Sequence, residues 1–215
     1  MHRLINEKSN IFIVGAPFSG KSTISSILLS QIEGVTNLPM DIVRIFAQIL
    51  EKKKPKASRN KFVELGSCDC YELINDGKPT DKNIIDSYKI YSKSVFEPLK
   101  QIMPKLEAQG CEHLIIDGVQ LMPELIAPYL GKYAKLIIIT SCAEKFISNK
   151  QKVIGTDKAL QKRYSNDTLN LIQTEILKQA RELDKNNYTI VENTGNVEDC
   201  TDIIIDYLKK IGFIQ

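Results

Sequence analysis

The run Gly15-Ala16-Pro17-Phe18-Ser19-Gly20-Lys21-Ser22 matches G-x-x-x-x-G-K-S at every fixed position. Before it stands an apolar run, residues 10–14 (N-I-F-I-V). After it, residues 19–32 place Ile24, Ile27, Leu28 and Ile32 at helical spacing. Such a loop constrains the fold, because it works only between the end of a strand and the start of a helix. Its glycines let the backbone curl until successive N–H groups converge on phosphate oxygens. The helix N-terminus adds positive potential. Lys21 brings a full charge to the β- and γ-phosphates, and Ser22 offers a hydroxyl to Mg2+. Gly15, Pro17, Phe18, Ser19, Gly20, Lys21, Ser22 and Thr23 are thus the expected nucleotide-binding residues. A chance match in 215 residues has odds on the order of one per cent at average composition.

The rest of the chain repeats this alternation. Further strands are expected at residues 34–38, 113–117 (H-L-I-I-D), 135–140 (K-L-I-I-I-T) and 188–191. Helices are expected at 40–51, 81–109 with a bend at Pro98 or Pro104, 123–129, 158–184 and 197–210. Strands that are apolar without alternation belong to a parallel sheet covered on both faces. The expected fold is α/β: a five-stranded parallel sheet with helices on both faces and a small lid, in one domain spanning 1–215. Residues 146–157 are polar and Lys-rich, so 145–163 is the expected lid and its first part the expected mobile stretch. Ligands in such a sheet sit at the carboxyl ends of the strands, where Gly15, Asp41, Asp117 and Thr140 fall.

Bulk properties narrow the partners. A net charge of +3 is too weak to argue for nucleic acid, whose binders carry a clustered basic face. The basic run Lys52-Lys53-Lys54-Pro55-Lys56 reads as a solvated loop. Five cysteines at irregular spacing include one C-x-C pair, Cys68 and Cys70, with no second pair or nearby histidine to complete a zinc site. Reduced thiols in a cytoplasmic protein are expected. No signal-peptide pattern opens the sequence and no run reaches the ~18 apolar residues of a spanning helix. A monomer or homodimer with no membrane partner is expected.

Asp117 ends an apolar strand in the manner of a Walker B aspartate and, with Ser22, is the expected Mg2+ ligand. Its neighbour is Gly118, where hydrolytic ATPases often carry a water-activating Glu. The base-reading pattern N-K-x-D of GTPases is also missing, since Asn149-Lys150-Gln151-Lys152 ends in Lys. Both features favour transfer of a phosphoryl group to an acceptor over hydrolysis, and so a P-loop kinase fold using ATP and Mg2+ on a small, anionic metabolite. Asp41, at a helix start after the second strand, is the expected acceptor-orienting acid or base; a residue favoured by the helix dipole is the plainer alternative. Arg44, one turn on, is a candidate for an anionic group on the acceptor. Arg163 is the expected lid cation over the γ-phosphate, with Lys150, Lys152, Lys158 and Lys162 more readily solvated. Tyr88 is a candidate substrate contact, though Tyr88 and Tyr91 at this spacing are more often core than substrate contacts. Asn193 and Thr194 follow the last strand, where an adenine loop usually runs.

The phosphate loop, Asp41-Ile42-Val43-Arg44, and Ile115-Ile116-Asp117-Gly118-Val119-Gln120-Leu121-Met122-Pro123 together resemble the 2-phosphoglycerate kinase family of archaea. Arg163-Tyr164 and Val191-Glu192-Asn193 are similar to further family segments. The D-G-V-x-L-x-P segment is the specific part. Asp117 stands where the family has Glu, and Gln120 where it has His, which makes Gln120 a candidate acceptor contact. These departures look more like the related mevalonate-3-phosphate 5-kinase group. The resemblance implies phosphorylation of the 5-hydroxyl of mevalonate 3-phosphate, or else of 2-phosphoglycerate. A nucleoside or nucleoside-monophosphate kinase and a non-catalytic ATP-binding regulator remain as alternatives.

Overall fold

The structure, a computed structural model, describes residues 1–6 and 8–215. In chain order the strands are β1 (His2–Arg3), β2 (Ser9–Val14), β3 (Ile32–Glu33), β4 (Thr36–Pro39), β5 (His113–Asp117), β6 (Ala134–Ser141) and β7 (Tyr188–Asn193). The helices are α1 (Lys21–Gln31), α2 (Met40–Lys53), α3 (Lys61–Glu64), α4 (Asp81–Ala108), α5 (Pro123–Ile126), α6 (Ala143–Ile154), α7 (Lys158–Arg163), α8 (Asn166–Ala180) and α9 (Val197–Lys210).

Five strands form one sheet in the order β4-β5-β2-β6-β7, and every pairing is parallel. Register follows the apolar runs. Ile13 lies opposite both Asp117 and Ile137, and Pro39 lies opposite Asp117. The carboxyl ends of β2, β4 and β5 therefore meet at one edge. From β2 the chain moves out to β4, returns through β5, and then crosses to β6 and β7 on the other side. The end of β2 is thus the point where the winding reverses, the place where doubly wound sheets open a crevice.

Side-chain alternation sorts the strands onto two cores. Phe12, Val14, Ile116, Leu136 and Ile138 face Met40, Tyr88, Tyr91, Leu99 and Ile172 of α2, α4 and α8. Ile11, Ile13, Ile115, Ile137 and Ile139 face Ile24 and Leu28 of α1 with Ile204 and Leu208 of α9. Burial on both faces is why these strands read as unbroken apolar runs.

Several expected boundaries move for local reasons. The stretch 146–157 is not irregular: α6 runs through most of it and drives Phe146 fully into the core. Its many lysines hid that one buried face. The expected helix over 158–184 is two, α7 and α8. Each has its own N-cap: Asp157 accepts from the N–H groups of Ala159 and Leu160, and the Ser165 hydroxyl accepts from that of Thr168. Lys150, expected in solvent, is buried, and its ammonium donates to the Tyr164 carbonyl (3.1 Å) and to Asn166 Oδ1 (2.9 Å) at the junction of α7 and α8. Helix α4 continues through Pro98 and Pro104. Ile32 leaves α1 to pair in β3 with β1, a two-residue ladder too short to leave a periodic signal. Lys52, Lys53, Lys54 and Lys56 are exposed as expected. Among the described residues, no helix is long and apolar enough to cross a membrane.

All five cysteines are free thiols. Burial pushes the Cys68 and Cys70 thiols from 9.0 up to about 12. Because the folded values lie above the unfolded ones, this contribution to stability is complete below pH 9.0 and is lost as pH rises from there through about 12. Urea-unfolding midpoints measured at stepped alkaline pH are expected to fall over that window, and less steeply in Cys68→Ala. A midpoint that does not change across it would contradict the assignment.

Candidate active site

β2 delivers the phosphate loop and α1 receives it. Gly20 takes φ +93° at the helix N-cap, a left-handed conformation that favours glycine. No side chain caps α1 and no acidic residue occupies its first turn. The helix therefore presents its N-terminal N–H groups and positive dipole to whatever lies in front of it. Gly15 sits so close to the sheet that a Cβ there would stand 2.5 Å from the Ile139 carbonyl oxygen.

Side chains from distant elements brace the loop. The Asn193 amide donates to the Ser19 carbonyl at 2.9 Å, and the Ser141 hydroxyl to the same oxygen at 3.2 Å. The Asn149 amide of α6 donates to the Phe18 carbonyl at 2.8 Å. Phe18 itself has φ +64° and packs edge-on against Tyr164 with ring centroids 5.1 Å apart. A non-glycine residue in that region costs on the order of 1 kcal/mol or more, so these contacts hold a strained loop in one shape.

Lys21 lies across the loop, its ammonium 3.3 Å from the Ala16 carbonyl oxygen. Burial lowers its pKa, and the carboxylates of Asp117 and Asp41 offset only part of that. A desolvated cation with one carbonyl partner is short of negative charge, and an anionic ligand would supply it.

Asp117 closes the far wall. One carboxylate oxygen, Oδ2, accepts from the Ser22 hydroxyl at 2.8 Å. The other, Oδ1, is buried with no hydrogen-bond partner among the described residues. Gly118 follows with its N–H on the Ile13 carbonyl, and a Cβ there would come within 2.6 Å of Gln120 Oε1. The rest of the D-G-V-x-L-x-P segment is locked from below. Leu121 and Met122 are fully buried, Pro123 opens α5, and the Tyr88 hydroxyl of α4 donates to the Val119 carbonyl at 2.5 Å.

Gln120 leads from this wall to the second half of the site. Its amide nitrogen donates to the Tyr91 hydroxyl at 2.9 Å and to Asp41 Oδ1 at 3.3 Å, and its own Oε1 is buried without a partner. The Arg44 guanidinium pairs with the same Asp41 oxygen at 3.7 Å. The Asp41 side chain remains 75% exposed, so its second oxygen is open to a ligand.

These groups line one cleft of about 740 Å3. Pro17, Phe18, Gly20, Lys21, Ser22 and Thr23 form its floor. Asp41, Arg44, Tyr91, Gln120, Gly66 and Ser67 also line it. Lys145, Asn149, Lys152, Val153, Tyr164, Asn193, Gly195 and Val197 complete the lining.

Several expected placements differ. Tyr88 is wholly buried and does not reach the cleft; its helix turns it toward Val119, and Tyr91, one turn on, takes the cleft position. Arg163 is not over the phosphate loop. Its guanidinium is 2.7 Å from Asp69, a mostly buried carboxylate that needs a counter-charge. The cleft cations from the lid side are Lys145 and Lys152 instead. Asn193 lines the cleft as expected and also braces the phosphate loop, whereas Thr194 is exposed outside the lining. Gly15 and Ser19 shape the loop from beneath and do not line the cleft. Gly66, Ser67, Tyr91, Lys145, Tyr164 and Val197 were not expected in the site. No motif marks them, since they reach the cleft from scattered parts of the chain, Gly66 and Ser67 together from the segment after α3.

No protein-family model matches the sequence, and no curated protein matches it. Solved structures are similar in fold. Thymidylate kinase from Candida albicans aligns over 97% of this chain and 95% of its own at 16% identity, with a TM-score of 0.52. Shikimate kinase from Aquifex aeolicus vf5 aligns over 94% and 96% at 17% identity, with a TM-score of 0.51. Deoxyadenosine kinase from M. mycoides with bound dATP aligns over 93% and 99% at 14% identity, with a TM-score of 0.53. The fold is that of the P-loop kinases.

Proposed function

We propose that the protein is a Mg2+-dependent kinase that transfers the γ-phosphoryl group of ATP to a hydroxyl of a small anionic metabolite. One observation carries this reading: a single cleft holds Lys21, Ser22 and Asp117 together with Asp41, Arg44 and Gln120. The first group suits a polyphosphate and the second suits an acceptor bearing both a hydroxyl and a charge.

The residues fit a magnesium ion. Asp117 Oδ1 is an orphaned buried carboxylate oxygen, and the Ser22 hydroxyl lies against its twin. Among the described residues no cluster of three or more His, Cys, Asp or Glu could hold a metal ion. Ser22 and Asp117 would hold Mg2+ alongside phosphate and water oxygens. When bound, the ion neutralises charge developing across the β- and γ-phosphate oxygens.

The protein's own part is positioning and electrostatics. Lys21 and the open N-terminus of α1 receive the phosphates and spread the charge of the transferring group. Asp41, held by the Gln120 amide and Arg44, accepts the hydrogen bond of the acceptor hydroxyl and can take its proton. Arg44 pairs with the anionic group already on the acceptor. Lys145 and Lys152 close over the phosphates from α6, and Tyr164 against Phe18 keeps water from the loop. Arg163 joins them only by leaving Asp69.

Among acceptors we favour the 5-hydroxyl of mevalonate 3-phosphate over 2-phosphoglycerate. This choice rests on the resemblance of the 115–123 segment and on Gln120 in place of the family His. A nucleoside or nucleoside-monophosphate acceptor is the second reading. It is favoured by the phenol of Tyr91 and the amide of Gln120 on the acceptor side, groups that suit a base. The test is ADP release from Mg2+·ATP with mevalonate 3-phosphate, mevalonate, 2-phosphoglycerate, glycerate and nucleoside monophosphates. Strong stimulation by mevalonate 3-phosphate is expected. Stimulation by 2-phosphoglycerate or a nucleotide alone would reassign the acceptor. ATP binding with no acceptor response would replace the kinase reading with an ATP-binding regulator.

A further inference from the structure

Helix α2 is apolar on two faces, and only one of them is covered. Met40, Val43, Ala47 and Glu51 turn inward. Ile42, Ile45, Phe46, Ile49 and Leu50 turn outward at positions i, i+3, i+4, i+7 and i+8, and each remains 46% to 58% exposed. Ile90 of α4 extends the same surface at 42% exposure. Beside the stripe, a groove of about 670 Å3 runs between α2 and α4, lined by Leu50, Ile90, Val63 and Pro98 with Lys93 and Glu97 at its rim.

Six large side chains exposed to this degree leave on the order of 500 Å2 of contiguous apolar surface, near the upper end of the largest patch on a typical monomer. With the aliphatic stems of Lys52 and Lys53 at its edge, the face approaches the roughly 800 Å2 per partner of a standard interface. The charge pattern indicates what covers it. Helix α2 carries Asp41 in its first turn and Lys52 and Lys53 in its last. A two-fold axis through the stripe sets two copies of α2 antiparallel, so that the helix dipoles oppose and the lysines at the C-terminal end of one helix stay away from those of the other. The ridge of Ile45, Phe46 and Ile49 lies next to a groove on the same face, as a self-complementary surface requires. A lipid surface fits less well, because it favours basic residues along the polar flank and here they gather at one end.

We infer that the exposed stripe of α2, with the adjoining α2–α4 groove, is the interface of a two-fold homodimer. This inference does not depend on the kinase reading. Sedimentation velocity over a dilution series is expected to give twice the 24.3 kDa chain mass, falling to the single-chain mass in Ile45→Glu/Phe46→Glu. Both substituted positions are solvent-facing in one chain, so the variant's urea midpoint is expected to equal that of the dissociated wild type. A second readout needs no substitution: diluting the wild type below its dissociation range should speed amide exchange in residues 40–53 specifically. A wild type monomeric at every concentration overturns the inference, as does a variant that remains dimeric. A monomer that floats with phosphatidylserine vesicles through the same residues overturns it in favour of a lipid surface.

Discussion

Lys21→Ala is expected to stay folded and to lose about 10³-fold or more in kcat, equivalent to about 4 kcal/mol of transition-state stabilisation. The effect is large because the lysine is the one full charge the phosphate loop itself carries and because it acts in a desolvated site, where a charge interacts strongly. The fold should survive because, among the described residues, the ammonium's one direct hydrogen bond is to the Ala16 carbonyl, and its burial already lowers its pKa in the free protein. Removing a cation that costs more to bury than its neighbours return leaves stability unchanged or raised. Turnover and unfolding measured on the same sample separate the two. A variant that turns over near the wild-type rate would sink the proposed mechanism. One that is inactive because it is unfolded would show that Lys21 supports the loop, contrary to its sparse contacts.

Asp117→Asn should have the next largest effect, a fall of about 10²- to 10³-fold in kcat at fixed Mg2+, partly recovered as Mg2+ is raised. The substitution keeps the shape of the side chain and leaves an oxygen for the Ser22 hydroxyl, now bonded at 2.8 Å to Oδ2. It removes the negative charge and the buried Oδ1 that has no hydrogen-bond partner among the described residues. Relieving an unsatisfied buried carboxylate should not destabilise the fold. The informative readout is therefore the Mg2+ titration of activity beside a thermal melt. An unchanged Mg2+ requirement would show that the aspartate is structural and that the ion is held elsewhere.

The two halves of the cleft differ in how legible they were. The phosphate half is local in sequence: a strand, a loop and a helix start within some twenty residues carry the loop, its lysine and its serine. Asp117 was legible for a similar reason, since a carboxylate closing an apolar strand can sit in few places once the sheet is parallel. The acceptor half is assembled from α2, the segment between α3 and α4, α4 and the loop after β5. Its membership depends on how helices rotate against the sheet. Tyr88 and Tyr91 have the same spacing signal, yet one hydroxyl goes under Val119 and the other meets Gln120. The helix within the 145–163 segment was not legible because composition outweighed geometry. Lysines made 146–157 look mobile, although Phe146 needed only one buried position to fasten α6 to the core.

The amino-acid sequence by itself determined the phosphate loop, the parallel sheet, and the carboxylate that faces the loop from β5. These follow from backbone needs and periodicities that hold within short stretches of chain. Tertiary structure alone decided which cations enter the cleft. Asp69 is buried and lies within reach of Arg163, so that arginine is engaged, while Lys145 and Lys152 on α6 line the cleft. Tertiary structure also decided which face of α2 stays uncovered, because both of its apolar faces read alike until α4 and the sheet occupy one of them. Long-range packing chooses among residues that local chemistry makes equivalent.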